Sequence, residues 1–168
     1  KEVNTVMGPK RIGKFGIILM ACSAIVAFLW CYSMGYLFLM WYLSYQIPYF
    51  TFSLLMVSPS AALDVAGLAL YFRDRKTFWK INRKPRVLSA VIGSILVFLA
   101  SLLSWFHYSM SLYASTKHGP PWNEPLGYIL AEASPYFVLS ALWLVSGVIL
   151  LADALFMNAR AKSSPKLL

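Results

Sequence analysis

Four long apolar stretches alternate with short polar segments along the chain. The stretches predict helices over about 15–42, 49–72, 87–108 and 134–157. Each is long enough to cross a bilayer, since about 20 helical residues span the hydrocarbon core. We therefore expect an all-α integral membrane protein, one domain over 1–168, whose four transmembrane helices form a bundle.

Small side chains recur every four residues on the first two predicted helices. Helices in a membrane approach each other closely where their side chains are small, so we interpret these positions as helix-packing residues. Cys31 then has a packing role rather than a redox one. The two sets are Ser23, Ala27, Cys31 and Gly35 on the first helix, and Ser58, Ala62 and Ala66 on the second.

Two prolines affect the predicted helices. Pro59 removes a backbone hydrogen bond near the middle of the second helix, so a kink is expected there. Ser58 and Ser60 flank it and are expected to satisfy the freed backbone groups. Near Pro135 two alternatives stay open: a short interfacial helix over 125–133 followed by a helix from Ser134, or one helix from 125 that is kinked at Pro135.

Basic residues indicate how the chain is oriented. The segment 73–86 holds seven of the fifteen Lys and Arg residues, and seven more lie before the first apolar stretch or after the last. Lys and Arg collect on the cytoplasmic side of membrane spans. We therefore expect 73–86 to be a cytoplasmic loop, 109–124 to be an outer loop, and both termini to be cytoplasmic. The residues of the basic loop that we expect to contact lipid headgroups are Arg73, Arg75, Lys76, Lys80, Arg83, Lys84 and Arg86.

The composition supports a membrane location and makes a nucleic-acid partner unnecessary to explain the charge. The chain is 60% hydrophobic and 12% charged, against about 25% charged residues in ordinary soluble domains. Topology and anionic lipids account for the net charge of +9 without a nucleic acid. We expect a multi-pass protein of a plasma or energy-converting membrane. Because residue 1 is Lys, we also expect further N-terminal sequence, and we interpret the first apolar stretch as a retained span.

Three carboxylates, Asp64, Asp153 and Glu132, lie in or beside apolar stretches. Ionisable residues in membrane spans are costly and are candidates for function. Asp64 and Asp153 lie about 10–14 Å from the cytoplasmic ends of their predicted helices. If these helices touch, the two carboxylates are expected to share a proton or a cation. The alternative is that each is neutral or hydrogen-bonded to a neighbour. Glu132, near a helix start, is interpreted as structural.

Some residues are candidates for binding a cofactor. His107 is a candidate haem or metal ligand, but a second membrane histidine is missing, so a haem would have to be shared with a partner. Aromatic residues crowd the outer side and could form a slot for a quinone or lipid, although interfacial belts explain most of them. No cofactor is predicted for the chain alone, and no metal site, catalytic motif or internal repeat is evident.

These observations lead to three functional hypotheses. The first is a non-catalytic structural or accessory subunit of a larger membrane complex, such as a respiratory electron-transport complex, with other integral subunits and membrane lipids as its partners. The second is a small proton- or cation-coupled carrier that uses Asp64 and Asp153. The third is a lipid- or quinone-binding component.

Overall fold

The computed structural model of the protein describes residues 13–30, 49–81, 84–117 and 126–163, and these residues are almost entirely helical. Four of the helices contain segments long and apolar enough to cross a membrane. The protein is therefore a multi-pass membrane protein. In chain order the helices are α1 (Gly13–Trp30), α2 (Tyr49–Ile81), α3 (Lys84–Lys117), α4 (Leu126–Glu132) and α5 (Ser134–Ser163).

Helix continues through most of the segment predicted as the basic loop 73–86. α2 runs to Ile81 and α3 begins at Lys84, so the loop prediction is wrong at both ends. The physical reason is that Lys and Arg are good helix formers, and a helix does not need to end where the bilayer ends. Arg83 lies outside the described residues.

The predicted outer loop 109–124 is also partly helical. α3 continues to Lys117, because 109–117 contains neither Gly nor Pro, and the first helix-breaking pair is Gly119-Pro120. α4 and α5 are separate helices, the first of the two alternatives considered above. The backbone N–H of Tyr136 donates to the carbonyl of Ala133 at 3.1 Å where they join.

Several polar side chains are buried inside the protein, and many large apolar side chains are exposed on its surface. Phe98 and Phe28 are 66% and 71% exposed, whereas Asp64 is fully buried. This arrangement suits a protein surrounded by lipid, where polar groups need partners inside the fold. The buried polar residues are Ser23, Ser53, Ser60, Asp64, Ser89, Ser111, Ser140, Ser146 and Asp153.

The chain forms two helical hairpins, each with a close crossing at a pair of glycines. In the first, α1 and α2 cross at Gly16 and Gly67, where a Cβ on Gly67 would lie 2.7 Å from the Gly16 carbonyl oxygen. In the second, α3 and α5 cross at Gly93 and Gly147, where the corresponding distance from a Cβ on Gly147 is also 2.7 Å. Backbones in membrane helices can approach this closely only where the side chains are small.

A serine seven residues before the second glycine completes each hairpin. Ser60 donates to the carbonyl of Ser23 at 2.7 Å, and Ser140 donates to the carbonyl of Ala100 at 2.9 Å. The motif Ser-x6-Gly therefore occurs in both α2 and α5. The sequence analysis did not identify this pair of small residues, because it consists of two positions per helix rather than of extended similarity.

α2 and α5 join the two hairpins and run parallel to each other. Two hydrogen bonds between them, Asp64–Ser146 and Tyr71–Asp153, connect residues that are 82 positions apart. Phe50 at the start of α2 bonds to Glu132, the last residue of α4, across the same interval. The bonded positions of α2 and α5 are seven residues apart along each helix, as in left-handed helix packing. We call this contact the α2–α5 seam.

Pro59 lies inside α2, which continues through it. The ring cannot donate the hydrogen bond that the Leu55 carbonyl would otherwise accept. Ser58 donates to that carbonyl at 3.3 Å, which confirms the prediction for this serine. The prediction for Ser60 was wrong, because its hydroxyl bonds to Ser23 on α1 instead.

Candidate functional site

Asp64 lies in the α2–α5 seam and is fully buried. The Ser146 hydroxyl donates to its Oδ2 atom at 2.7 Å. The second carboxyl oxygen, Oδ1, has no hydrogen-bond partner in the described part of the chain. A buried carboxylate needs several donors or a cation to offset its desolvation, which amounts to several kcal/mol or more per ion. One neutral hydroxyl is far short of this, so the seam accommodates the neutral acid.

One helical turn from Asp64 lies a second polar cluster, formed by Ser23, Ser60 and Trp143. The indole Nε1 of Trp143 donates to the Ser23 hydroxyl at 2.6 Å, and the Ser23 and Ser60 hydroxyls are 3.0 Å apart. Ser60 donates its proton to the Ser23 carbonyl, which leaves the Ser23 proton for the Ser60 oxygen. Every donor of this cluster therefore has an acceptor, in contrast to Oδ1 of Asp64.

Asp153 lies nearer the end of the seam and is held by two residues of α2. Arg75 binds it with two donors, Nε to Oδ2 at 2.7 Å and Nη2 to Oδ1, and the Tyr71 hydroxyl donates to Oδ2 at 2.7 Å. The hydrogen bond from Arg75 to Asp153 raises the pKa of the guanidinium above its usual value, so this group stays charged. We call Tyr71, Arg75 and Asp153 the clamp.

Asp64 and Asp153 do not meet, although their helices do touch as the hypothesis required. Asp64 bonds to Ser146, and Asp153 bonds to Tyr71. The two bonds are seven residues apart along each helix, which corresponds to about 10 Å along the axis. The expectation of a shared ion was therefore wrong by one heptad. Arg75 was expected at lipid headgroups, but it pairs with Asp153 because α2 continues and keeps position 75 on the same face as Tyr71.

Glu132 lies at the opposite end of the seam from Arg75. Its Oε2 atom accepts a hydrogen bond from the backbone N–H of Phe50 at 2.6 Å. The first amides of a helix have no partner within the helix and carry partial positive charge, so a carboxylate is favourable there. Glu132 is therefore favoured by a helix dipole, as expected, but by the dipole of α2 rather than that of α5.

His107 is half-buried and stacks on Tyr136, with ring centroids 3.8 Å apart and planes within 14°. The edge of Phe106 contacts it at a centroid distance of 5.3 Å. One face of the imidazole is therefore covered by an aromatic ring, as expected for a packing residue. A haem shared with a partner stays a prediction.

The residues predicted for helix packing and headgroup contact differ in whether they are buried or exposed. Ser23 and Ala27 are buried inside the protein, whereas Ser58, Ala62 and Ala66 are exposed on the outer face of α2. Cys31 and Gly35 lie outside the described residues. Among the basic residues, Arg73 is exposed. Lys76 and Lys80 lie within α2, and Lys84 and Arg86 lie within α3.

An open groove of about 370 Å³ lies between α1 and α3 and is apolar. Its lining includes Ala21, Ala24 and Phe28 of α1 with Ile92, Ile95 and Leu99 of α3. None of its lining side chains can donate a hydrogen bond to a quinone oxygen. The groove therefore suits an acyl chain better than a quinone ring.

Ser146, Trp143 and Tyr71 are site residues that the sequence analysis missed. Their signal is a spacing of alternately three and four residues, which places them on the same face of α2 or α5 as the two aspartates. The buried positions that follow this spacing are Ser53, Val57, Ser60, Asp64, Gly67 and Tyr71 on α2, and Tyr136, Leu139, Trp143, Ser146, Leu150 and Asp153 on α5. No family model, curated protein or solved structure matches the chain, so the site is interpreted from its own chemistry.

Proposed function

We propose that this protein is a small ion-coupled membrane carrier and that its coupling ion, a proton, binds at Asp64. The observation that carries the proposal is the fully buried carboxyl group with one oxygen unpartnered among the described residues. Ionisable groups inside membrane spans commonly mark proton and ion pathways. Asp153 has no part in ion binding in this proposal, because Arg75 neutralises it.

The position of Asp64 between the two hairpins supports the same proposal. In transporters built from repeats, the ion site lies near the middle of the membrane at the interface between the repeats. Asp64 belongs to the first hairpin and its donor, Ser146, belongs to the second. A relative movement of the hairpins would therefore change the surroundings of the carboxyl group directly.

A proton fits this site better than a metal cation does. Hard cations such as calcium and magnesium are bound by six or more oxygen ligands, including waters. Asp64 has one hydroxyl, that of Ser146, within hydrogen-bond distance among the described residues. Binding a proton needs no further ligand, since it converts the carboxylate into the neutral acid that the seam accommodates.

The proposal includes an orientation in the membrane. We place the Arg75 end of the seam, with the basic residues around the α2–α3 junction and both termini, on the cytoplasmic side. This follows the bias of Lys and Arg toward that side.

Proton binding can be tested with dicyclohexylcarbodiimide, an apolar reagent that modifies protonated carboxyl groups in membranes. Mass spectrometry of the reconstituted protein should find the modification on Asp64 and not on Asp153, whose carboxylate is paired. Asp64→Asn should remove it, and the matched substitution Asp74→Asn, just beyond the apolar segment that ends at Arg73, should not. An unmodified Asp64 would overturn the assignment.

Transport is tested in proteoliposomes that contain a pH-sensitive dye, with a potassium ionophore present to balance charge. An imposed pH gradient should produce proton flux above that of protein-free vesicles. Asp64→Asn should reduce this flux to the protein-free level, whereas Asp74→Asn should retain it. If the parent protein and Asp64→Asn give equal flux, including no flux, the carrier proposal fails.

A second candidate function is an accessory subunit of a larger membrane complex, including an electron-transport complex. The observation that favours it is the exposed small-residue face Ser58, Ala62 and Ala66 on α2, because such faces permit close helix contact. Native electrophoresis after mild extraction should show a large species that Ala62→Leu with Ala66→Leu reduces. The control pair Val145→Leu with Val148→Leu, exposed on α5, should leave it intact. A lone monomer in the parent sample would exclude this role.

A further inference from the structure

We propose that the clamp, formed by Tyr71, Arg75 and Asp153, is a gate that closes the Asp64 site toward the Arg75 end of the seam. This inference rests on the proposed carrier function and adds the route by which the site reaches water. Its physical basis is the difference between contacts within each hairpin and contacts between the hairpins.

Within each hairpin the helices are joined closely through their backbones. The carbonyl of Gly16 lies against Gly67, and the carbonyl of Gly93 lies against Gly147, at distances that leave no room for a methyl group. A serine-to-carbonyl hydrogen bond adds a second attachment in each case. Each hairpin is therefore expected to move as one body.

Between the hairpins, the hydrogen bonds of the described residues use at least one side chain. They include Trp143 with Ser23, Ser146 with Asp64, Asp153 with Tyr71 and Arg75, and the bond of Glu132 on α4 with Phe50. Side-chain links can break and re-form during a rigid-body movement without disturbing either hairpin. Movements of this kind are the usual basis of alternating access in proteins built from repeats.

The clamp lies where water outside the protein meets the buried seam. Arg75 has 45% of its side chain exposed, whereas its partner Asp153 has 7%. Tyr71, level with Asp153, and Leu150, one turn closer to Asp64 along α5, are both fully buried. Asp64 lies about 10 Å from the level of Asp153 along the axis. Release of Asp153 would remove the hydroxyl bond that holds Tyr71 and open the shortest route to Asp64.

The two ends of the seam are not equivalent. The Glu132 bond to the backbone of Phe50 is exposed and is 14 residues from Asp64 along α2, about 20 Å along the axis. The clamp is seven residues away and makes three hydrogen bonds, two of which belong to the Arg75–Asp153 ion pair. The route through the clamp is therefore shorter and more strongly closed, as expected of a gate.

The test is the accessibility of a thiol beside Asp64. Ser146→Cys is made in a background of Cys22→Ser and Cys31→Ser, and a membrane-impermeant thiol reagent is added to either side of sealed vesicles. Arg73→Cys, exposed beside the clamp, reports which side faces the Arg75 end. With the clamp intact, the cysteine introduced by Ser146→Cys should react slowly from both sides.

Asp153→Asn should raise that reaction rate at least tenfold from the Arg75 side alone. The matched carboxyl-to-amide change at the other end, Glu132→Gln, should not change the rate from the Arg75 side. A second reporter, Ser89→Cys, detects general loosening, because Ser89 is fully buried on α3. Its rate should stay the same in the Asp153→Asn background.

Three results would overturn the gate: an unchanged rate in Asp153→Asn, an increase from the opposite side, or an equal increase at the Ser89→Cys reporter. Thiol accessibility does not depend on proton flux. If thiol labelling contradicts the gate, the carbodiimide and flux results for Asp64 still stand. If the carbodiimide and flux tests contradict proton binding at Asp64, the labelling pattern is not changed by that.

Discussion

Replacing Gly67 by Ala tests whether the close glycine crossing stabilises the first hairpin. The added Cβ would lie 2.7 Å from the Gly16 carbonyl oxygen and 2.9 Å from the backbone nitrogen of Met20. Ordinary contacts of this kind begin at 3.4 Å, so α1 and α2 would have to separate by about 0.7 Å. The Met20 Cγ atom also lies 2.9 Å away, but the other two obstructing atoms belong to the backbone, so rotation of a side chain cannot relieve the clash.

The separation would also weaken the hydrogen bond from Ser60 to the Ser23 carbonyl. That bond is 2.7 Å long and would stretch to about 3.4 Å, outside the usual 2.7–3.2 Å range. Overpacking of this kind costs about 1–3 kcal/mol, and a lost hydrogen bond adds about 1 kcal/mol. We therefore expect Gly67→Ala to lower the free energy of unfolding by about 2–4 kcal/mol.

Reversible unfolding in mixed micelles, with increasing fractions of sodium dodecyl sulfate, measures this free energy. The matched control is Gly127→Ala on α4, where the added Cβ meets nothing within 4 Å. The control also carries the gain in helix propensity of about 1 kcal/mol that accompanies Gly→Ala. The reasoning is refuted if the two variants differ by less than about 0.5 kcal/mol, the usual effect of an uncoupled surface change.

Gly147→Ala should destabilise the protein by a similar amount in the same titration, because its Cβ would lie 2.7 Å from the Gly93 carbonyl; an effect no larger than that of Gly127→Ala would contradict equivalent hairpins. Trp143→Phe should cost about 1–3 kcal/mol, since it removes the indole donor to Ser23 and leaves a buried hydroxyl with one bond fewer. Trp105→Phe, at a side chain that is 66% exposed, is its control in the same measurement, and equal effects would show that the buried bond contributes nothing.

Which residues share a helix face could be predicted from the sequence, and the axial stagger between helices could not. Asp64 and Asp153 do lie on facing sides of α2 and α5, as the carrier hypothesis required. Yet Asp64 is level with Ser146, and Asp153 is level with Tyr71. Helical periodicity identifies a face, but it contains no information on how far one helix is shifted along another, so a one-heptad error was undetectable.

The small residues illustrate the same limit. A spacing of four residues marks both Ser23 with Ala27 and Ser58 with Ala62, yet the first pair is buried and the second is exposed. Small side chains permit close contact without specifying the partner, which is determined by the neighbours that each helix finds in three dimensions. The paired glycines of the two hairpins are recognisable as crossing points only once their carbonyls are seen in contact.

The sequence by itself determined that this is a multi-pass membrane protein with four apolar segments of spanning length, because length and hydropathy are local properties of the chain. It also identified Asp64 as a costly intramembrane acid. The tertiary structure alone decided that Asp153 belongs to Arg75, that Asp64 has one donor from the other hairpin, and that two equivalent glycine crossings build the fold. These facts depend on distances between segments far apart in the chain, which are determined by packing.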